Sequence, residues 1–315
     1  MTVINAMKFN EREGAMISDS QSSTSIRKYD IAIKLDDFET SKAKAIIGGS
    51  GAADILYQIK EETAETLQQY QDRIRSGKDL AKIVAQVANR VKREYVTGLL
   101  ESQFGLRERD LIAGFQVTEE GKTPIDQAII QKYHQIVSGS DPSTAQLLQN
   151  GFLILTSDSS GIKIYMATTT LGNARPIARP YDSIGSGSDV ADNELYDFFN
   201  TLTREQRDNV DPVEGIAALI NATSRASERN QGVGGTPSLK VFRDNQIITP
   251  NYNATQLAVE IVKGVNRGFL EKDFQRSALD ALIYQGQDFK SVETEMWAKA
   301  KNIAEFSRML RGYKE

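Results

Sequence analysis

Residues 1–23, MTVINAMKFNEREGAMISDSQSS, carry the pattern on which the reading of the whole chain turns. A small hydroxyl residue, Thr2, follows the initiator methionine. Two strand-like runs come next, Val3 to Phe9 and Ala15 to Ser18, split by the turn-rich Asn10-Glu11-Arg12-Glu13-Gly14; the second run ends in Asp19-Ser20. If Met1 is removed, Thr2 carries a nucleophilic hydroxyl and a free amine on one residue. The amine titrates near neutral pH and can serve as a base. A threonine hydroxyl is inert without one, and an N-terminal threonine that uses its own amine is a known variant of triad chemistry.

The 315 residues are 40% hydrophobic and 25% charged, an ordinary globular composition. A formal net charge of −4 gives no basic surface for nucleic acid or for a membrane. The chain has no cysteine, which excludes disulfides, thiolate metal sites and a thiol nucleophile. Its one histidine, His134, argues against a histidine-rich metal site and against a Ser-His-Asp triad; beside Tyr133, Ile136 and Val137 it reads as a surface or packing residue. No metal or other cofactor is expected. The apolar runs fall far short of the ~20 residues that span a bilayer, and no basic region with an apolar stretch opens the chain, so a cytoplasmic protein is expected.

The alternation of Tyr29, Ile31, Ile33 and Leu35 against Lys28, Asp30, Ala32 and Lys34 predicts a strand over 25–35, with a turn over Asp36 to Lys42 and a return strand from Ala43 to Ile47. Gly48-Gly49-Ser50-Gly51-Ala52-Ala53-Asp54 follows, a stretch of small residues that lets a substrate approach the backbone closely. Helices are predicted over 52–75 and 79–100, the second with Asp79 as N-cap. Residues 102–150 are less regular, with short helices near Ile125 to Val137 and after Asp141-Pro142-Ser143. Strands return over 151–189, with a hairpin across Asp158-Ser159-Ser160-Gly161, and lead through Gly185-Ser186-Gly187-Ser188-Asp189 into a helix over 190–202. That glycine–serine cluster lacks the lysine of a phosphate-binding loop. A helix from Asp211-Pro212, a strand Ser238-Leu239-Lys240-Val241-Phe242 and a helical run from Ala254 complete the chain. The expected fold is α+β, a four-layer sandwich of two antiparallel sheets between helix layers. Residues 1–250 form its domain, with an insert at about 102–150, and residues 251–315 form a helical C-terminal extension.

The N-terminal threonine, the strand ending Asp19-Ser20, the strand carrying Lys28, GSGAAD at 49–54, IGSGSD at 184–189 and RNQGVGG at 229–235 occur in one order. That order resembles the proteasome β-subunit family of the N-terminal nucleophile hydrolases, and is similar also to the bacterial ATP-dependent ring proteases. The resemblance covers about residues 2–100 and 151–245. It implies Thr2 as nucleophile, with its amine as base; Asp19 and a lysine beside the threonine oxygen; Ser186 orienting the amine; and backbone donors around Ser50 and Gly51 for the oxyanion. The lysine is Lys28 or Lys34: counting back from Gly51 favours Lys34, whereas closing the 28–50 hairpin around its turn favours Lys28, which is preferred. Where the family has Arg-Asp this chain has Arg229-Asn230, and Glu228 is a candidate replacement for the missing carboxylate.

The resemblance implies a threonine-type endopeptidase acting on polypeptides within a homo-oligomeric ring, with an ATP-dependent unfoldase as possible partner. Two other functions fit the same scaffold: a structural ring subunit without catalysis, and a small-molecule amidohydrolase.

Overall fold

The computed structural model describes residues 2–23, 28–29, 34–119, 121–170 and 172–311. The first hairpin joins β1 (Ile4–Lys8) to β2 (Glu13–Ser18) across a turn in which Asn10 Oδ1 accepts from the N–H groups of Arg12 and Glu13 (2.8 and 2.9 Å). Asparagine suits such a turn because its side chain replaces a backbone acceptor. A short pair, β3 (Ser22–Ser23) and β4 (Lys28–Tyr29), precedes the second hairpin, β5 (Leu35–Glu39) and β6 (Ala43–Ser50). Two long helices follow, α1 (Ala53–Tyr70) and α2 (Gly77–Phe104). The insert holds α3 (Glu108–Ala113), β7 (Phe115–Thr118), β8 (Gly121–Pro124), α4 (Gln127–Ser138) and α5 (Pro142–Leu148). The chain then returns to strands: β9 (Gly151–Asp158), β10 (Gly161–Thr168), β11 (Arg175–Pro176) and β12 (Tyr181–Ile184). Helices α6 (Ser188–Thr201), α7 (Arg204–Asp208) and α8 (Pro212–Arg229) lead to β13 (Ser238–Arg243) and β14 (Gln246–Ile248). The C-terminal helices are α9 (Tyr252–Asn266), α10 (Lys272–Leu279), α11 (Phe289–Lys299) and α12 (Ile303–Arg311).

Two five-stranded antiparallel sheets result, in the orders β12-β1-β2-β13-β14 and β11-β10-β9-β6-β5. Period-two alternation explains how they stack. On β1, Ile4 and Ala6 face the other sheet while Val3 and Met7 face α6 and α8; on β9, Leu153 and Leu155 face inward while Phe152 and Ile154 face α1 and α2. Both faces of both sheets are therefore buried, and the molecule is the expected α+β sandwich of helix, sheet, sheet and helix layers. Gly48 sits in the tight inter-sheet space: a Cβ there would lie 2.6 Å from Ile4 Cγ2. Gly48→Val is expected to overpack the space and destabilise the fold by about 1–3 kcal/mol, measured as a lower denaturant midpoint at unchanged slope.

The second hairpin departs from expectation. Asp36 to Glu39 continue a strand, and only residues 40–42 turn. β5 is an edge strand, so its acidic side chains remain accessible and find cations: Asp36 with Lys60 (2.5 Å), Glu39 with Lys44 (2.9 Å) and Asp37 with Lys240. Residues 25–27 and 30–33 of the expected strand lie outside the described residues. The N-cap of α2 is Ser76 rather than Asp79; the Asp79 carboxylate instead accepts from Ser76 Oγ (3.0 Å) and from the Arg75 N–H (3.0 Å). His134 is exposed on α4, its ring 5.3 Å from that of Tyr133.

The insert has a small core of its own, including Leu106, Leu111, Tyr133 and Ile136, set on Val96 and Leu100 of α2. At the other end of the chain, α9 packs on α8, and Phe306 of α12 is fully buried, with its ring near those of Phe269 (5.4 Å) and Trp297 (5.2 Å). Among the described residues no helix is long and apolar enough to cross a membrane.

Candidate active site

Thr2 stands at the entrance to β1, where three segments converge. The 185–188 turn holds it from one side: the Gly187 N–H donates to Thr2 O (3.1 Å) and the Thr2 N–H donates to Ser186 Oγ (3.1 Å). Gly185 adopts φ +98°, and a Cβ there would meet Thr2 O at 2.2 Å and Ser50 Oγ at 3.3 Å, so only glycine permits this approach. Asp19, at the end of β2, holds the other side. Its Oδ1 accepts from the Val3 N–H (2.9 Å) and its Oδ2 from the Gly234 N–H (3.3 Å).

Lys34 closes the cluster. Its Nζ donates to Thr2 Oγ1 (3.1 Å), Asp19 Oδ1 (2.7 Å) and Gln21 O (2.7 Å), which employs all three protons of the ammonium. Lys34, the alternative to the preferred Lys28, thus reaches the hydroxyl. The cause is the hairpin register: Leu35 pairs with Gly48, which sets Lys34 beside the 48–52 turn. Lys28 pairs with Ser23 in β4, before the hairpin begins, and its side chain lies outside the described residues. The Lys34 and Asp19 side chains are only 10% and 2% exposed. Burial is the largest influence on both, lowering the pKa of the Lys34 ammonium and raising that of the Asp19 carboxyl, while their mutual attraction opposes each shift.

Ser186 is fixed by Asn230, whose Nδ2 donates to the Ser186 backbone carbonyl (2.9 Å) and whose Oδ1 accepts from the Gly232 N–H (3.2 Å). Asn230 therefore orients a main-chain carbonyl rather than a hydroxyl. Glu228 does not take the place of a carboxylate here; it pairs with Arg225 (3.1 Å) and Arg267 (3.5 Å).

Thr2 and Ser186 open onto a cleft of about 730 Å³ that the 49–53 turn and α1 also line. Ser50 and Gly51 border this cleft, and so do the apolar Ile47, Leu56, Ile59 and Phe152. Leu147 and Gln149, from the end of the insert, complete the wall.

Solved structures of Anbu are among those that share this fold. Anbu from Yersinia bercovieri, described as an ancestral beta-subunit, is 12% identical and aligns with TM-score 0.54 over 85% of this chain and 94% of its own. Anbu from Hyphomicrobium sp. strain MC1 is 12% identical, with TM-score 0.51 over 78% and 84%, and a mutant form from that strain is 10% identical, with TM-score 0.54 over 78% and 86%. No protein-family model matches the chain, and no curated protein does. At these identities the likeness to Anbu is one of fold. It corrects the family resemblance drawn from the motifs, because Anbu is a proteasome-like but distinct family. The motifs misled about family because they mark what the scaffold requires: a strand start, a carboxylate at the end of the next strand and two glycine turns. Gln21 and Asn150 act through a backbone carbonyl and a single buried amide and leave no motif in the sequence.

Proposed function

We propose that the protein is an N-terminal nucleophile hydrolase of the threonine type, cleaving amide bonds in peptides after removal of Met1. The observation that carries this reading is the contact between Lys34 Nζ and Thr2 Oγ1 (3.1 Å) beside the hydrogen bond from Thr2 N to Ser186 Oγ (3.1 Å).

In the 315-residue chain the nitrogen of Thr2 is a peptide nitrogen with no basic lone pair. Loss of Met1 converts it to an amine, the one free base within reach of the hydroxyl among the described residues. Lys34 cannot fill that role, since its three protons are all engaged and a charged ammonium has no acceptor. It acts as a fixed positive charge that favours the alkoxide. Thr2 Oγ1 attacks the substrate carbonyl carbon, its proton passing to the amine. The carbonyl oxygen gains negative charge and faces the 50–52 turn and the start of α1, whose N-cap Ala52 supplies no side-chain cap and whose positive end borders the cleft. Collapse breaks the C–N bond, the amine returns the proton to the leaving group, and an ester on Thr2 remains. Water then cleaves the ester by the same proton route.

The test is intact mass of the purified protein before and after treatment with a threonine-directed covalent inhibitor. Loss of Met1 and one stoichiometric adduct are the expected result. Retained Met1 with no adduct sinks the hydrolase reading and leaves a non-catalytic subunit of the same fold. Turnover of small amides but not peptides moves the assignment to a small-molecule amidohydrolase. Assembly into a homo-oligomeric ring belongs to the same proposal; Tyr57, Tyr70 and Tyr95, exposed on α1 and α2, are surface that such contacts can cover. Monomeric sedimentation removes the ring while leaving hydrolysis in place.

A further inference from the structure

We propose that Asn150 is a positioning residue that holds the Ser50–Gly51–Ala52 turn in the shape needed to stabilise the oxyanion, an inference that rests on the hydrolase reading above. Asn150 is the last residue before β9, 98 positions from Ala52 in sequence and only 2% exposed. Its Oδ1 accepts from the Ala52 N–H (2.8 Å), and its Nδ2 donates to Leu147 O (2.8 Å). The amide can face only one way, because exchanging its ends would set an NH₂ against the Ala52 N–H and an oxygen against a carbonyl.

The backbone of Asn150 is held as firmly. Its N–H donates to Thr169 Oγ1 (3.1 Å), and the Thr169 N–H donates to Asn150 O (3.0 Å). Thr169 is fully buried. Gly51 is shaped to this contact: a Cβ at that position would lie 2.0 Å from Asn150 Oδ1 and 2.7 Å from Cγ. The turn is thus gripped twice, at Ser50 by its pairing with Gly151 and at Ala52 by the Asn150 side chain.

Between those two anchors lies Gly51 at φ +149°, a residue with more conformational freedom than any other. Without Asn150 to accept from the Ala52 N–H, the Gly51–Ala52 peptide can rotate and turn the adjoining Ser50–Gly51 peptide, whose Gly51 N–H then no longer points where charge develops. Donors of this kind act in the transition state far more than in the bound substrate. The apolar wall formed by Ile47, Leu56, Ile59 and Phe152 makes no hydrogen bond with the Asn150 side chain, so ground-state binding persists.

The test uses the full chain carrying Asn150→Ala. Its kcat on a fluorogenic peptide is expected to fall about 10–100-fold, as for a donor displaced by about 1 Å, with KM changed less than about threefold. A peptide boronate, which mimics the tetrahedral oxyanion, should bind more weakly by a similar factor, while the matching unreactive peptide amide binds as before. Thr169→Val, which loosens Asn150 from behind without touching the cleft, should give a smaller loss of the same kind, and it carries the test alone if Asn150→Ala does not fold. A purely structural role would lower the melting temperature and leave the ratio of boronate to amide affinity unchanged; that result, or an unchanged kcat in a folded variant, overturns the proposal. Normal turnover by the unsubstituted protein beside an unaffected variant refutes this inference alone. Absence of both turnover and boronate binding in the unsubstituted protein refutes the hydrolase reading, and this inference with it.

Discussion

Thr2→Ala is expected to abolish hydrolysis, with kcat reduced by at least about 10³-fold and no inhibitor adduct, while the circular dichroism spectrum and melting temperature stay close to those of the parent. The magnitude follows from the absence of a substitute. Ser186 Oγ is a neighbouring hydroxyl, but it partners the Thr2 nitrogen and carbonyl, and Lys34 donates to Thr2 Oγ1, Asp19 and Gln21 instead. Stability is preserved because Thr2 is only partly buried and the main-chain bonds that anchor it, to Gly187 and Ser186, do not involve its side chain. Thr2→Ser, which keeps the hydroxyl and loses a methyl, should retain measurable turnover. Full activity in Thr2→Ala would place the chemistry elsewhere.

Asp19→Ala is expected to destabilise the fold by about 3–5 kcal/mol in urea unfolding and to remove activity together with it. The deletion strands the Lys34 ammonium, 10% exposed, without its counter-charge, and leaves the Val3 and Gly234 N–H groups without their acceptor. The double variant Asp19→Leu with Lys34→Met separates the two effects. Burial disfavours the charged form of both groups, so an apolar pair of similar volume recovers most of the lost stability. Activity stays absent, because no cation remains beside Thr2 Oγ1. Recovery of activity in the double variant would show that the pair serves folding alone.

The sheets were legible in the sequence because alternation is a local property: Val3 to Phe9, Ala15 to Ser18 and residues 151–158 show their strands without outside help. β5 was not, because Asp36, Asp37 and Glu39 read as a turn until an edge position and the cations of Lys60, Lys240 and Lys44 are known. That misplaced boundary also led to Lys28. A hairpin closed at the wrong residue moves the register, and only the pairing of Leu35 with Gly48 sets Lys34 beside the nucleophile. Thr2, Asp19 and Ser186, named from the family resemblance, flank the start of β1, the end of β2 and the turn between β12 and α6. The contacts of Asn230 with Ser186 O and of Asn150 with Ala52 N could not be named in advance, because they join positions 44 and 98 residues apart through single amides. Family was the least legible property. Residues imposed by a scaffold recur wherever the scaffold does.

β1 lies inside its sheet, bonded to β12 on one edge and to β2 on the other, and both of its faces are buried. Its amides belong to the part of the molecule that opens last, so they should exchange with solvent only on global unfolding. Thr2 inherits that stillness. Under the proposed function, a nucleophile with so little slack cannot follow an awkward substrate; the scissile bond has to be brought to it. Whatever accommodation the cleft offers therefore falls to its other wall, where Leu147 and Gln149 close off the insert, and differences in substrate choice among variants should map to that rim rather than to the strand that bears the hydroxyl.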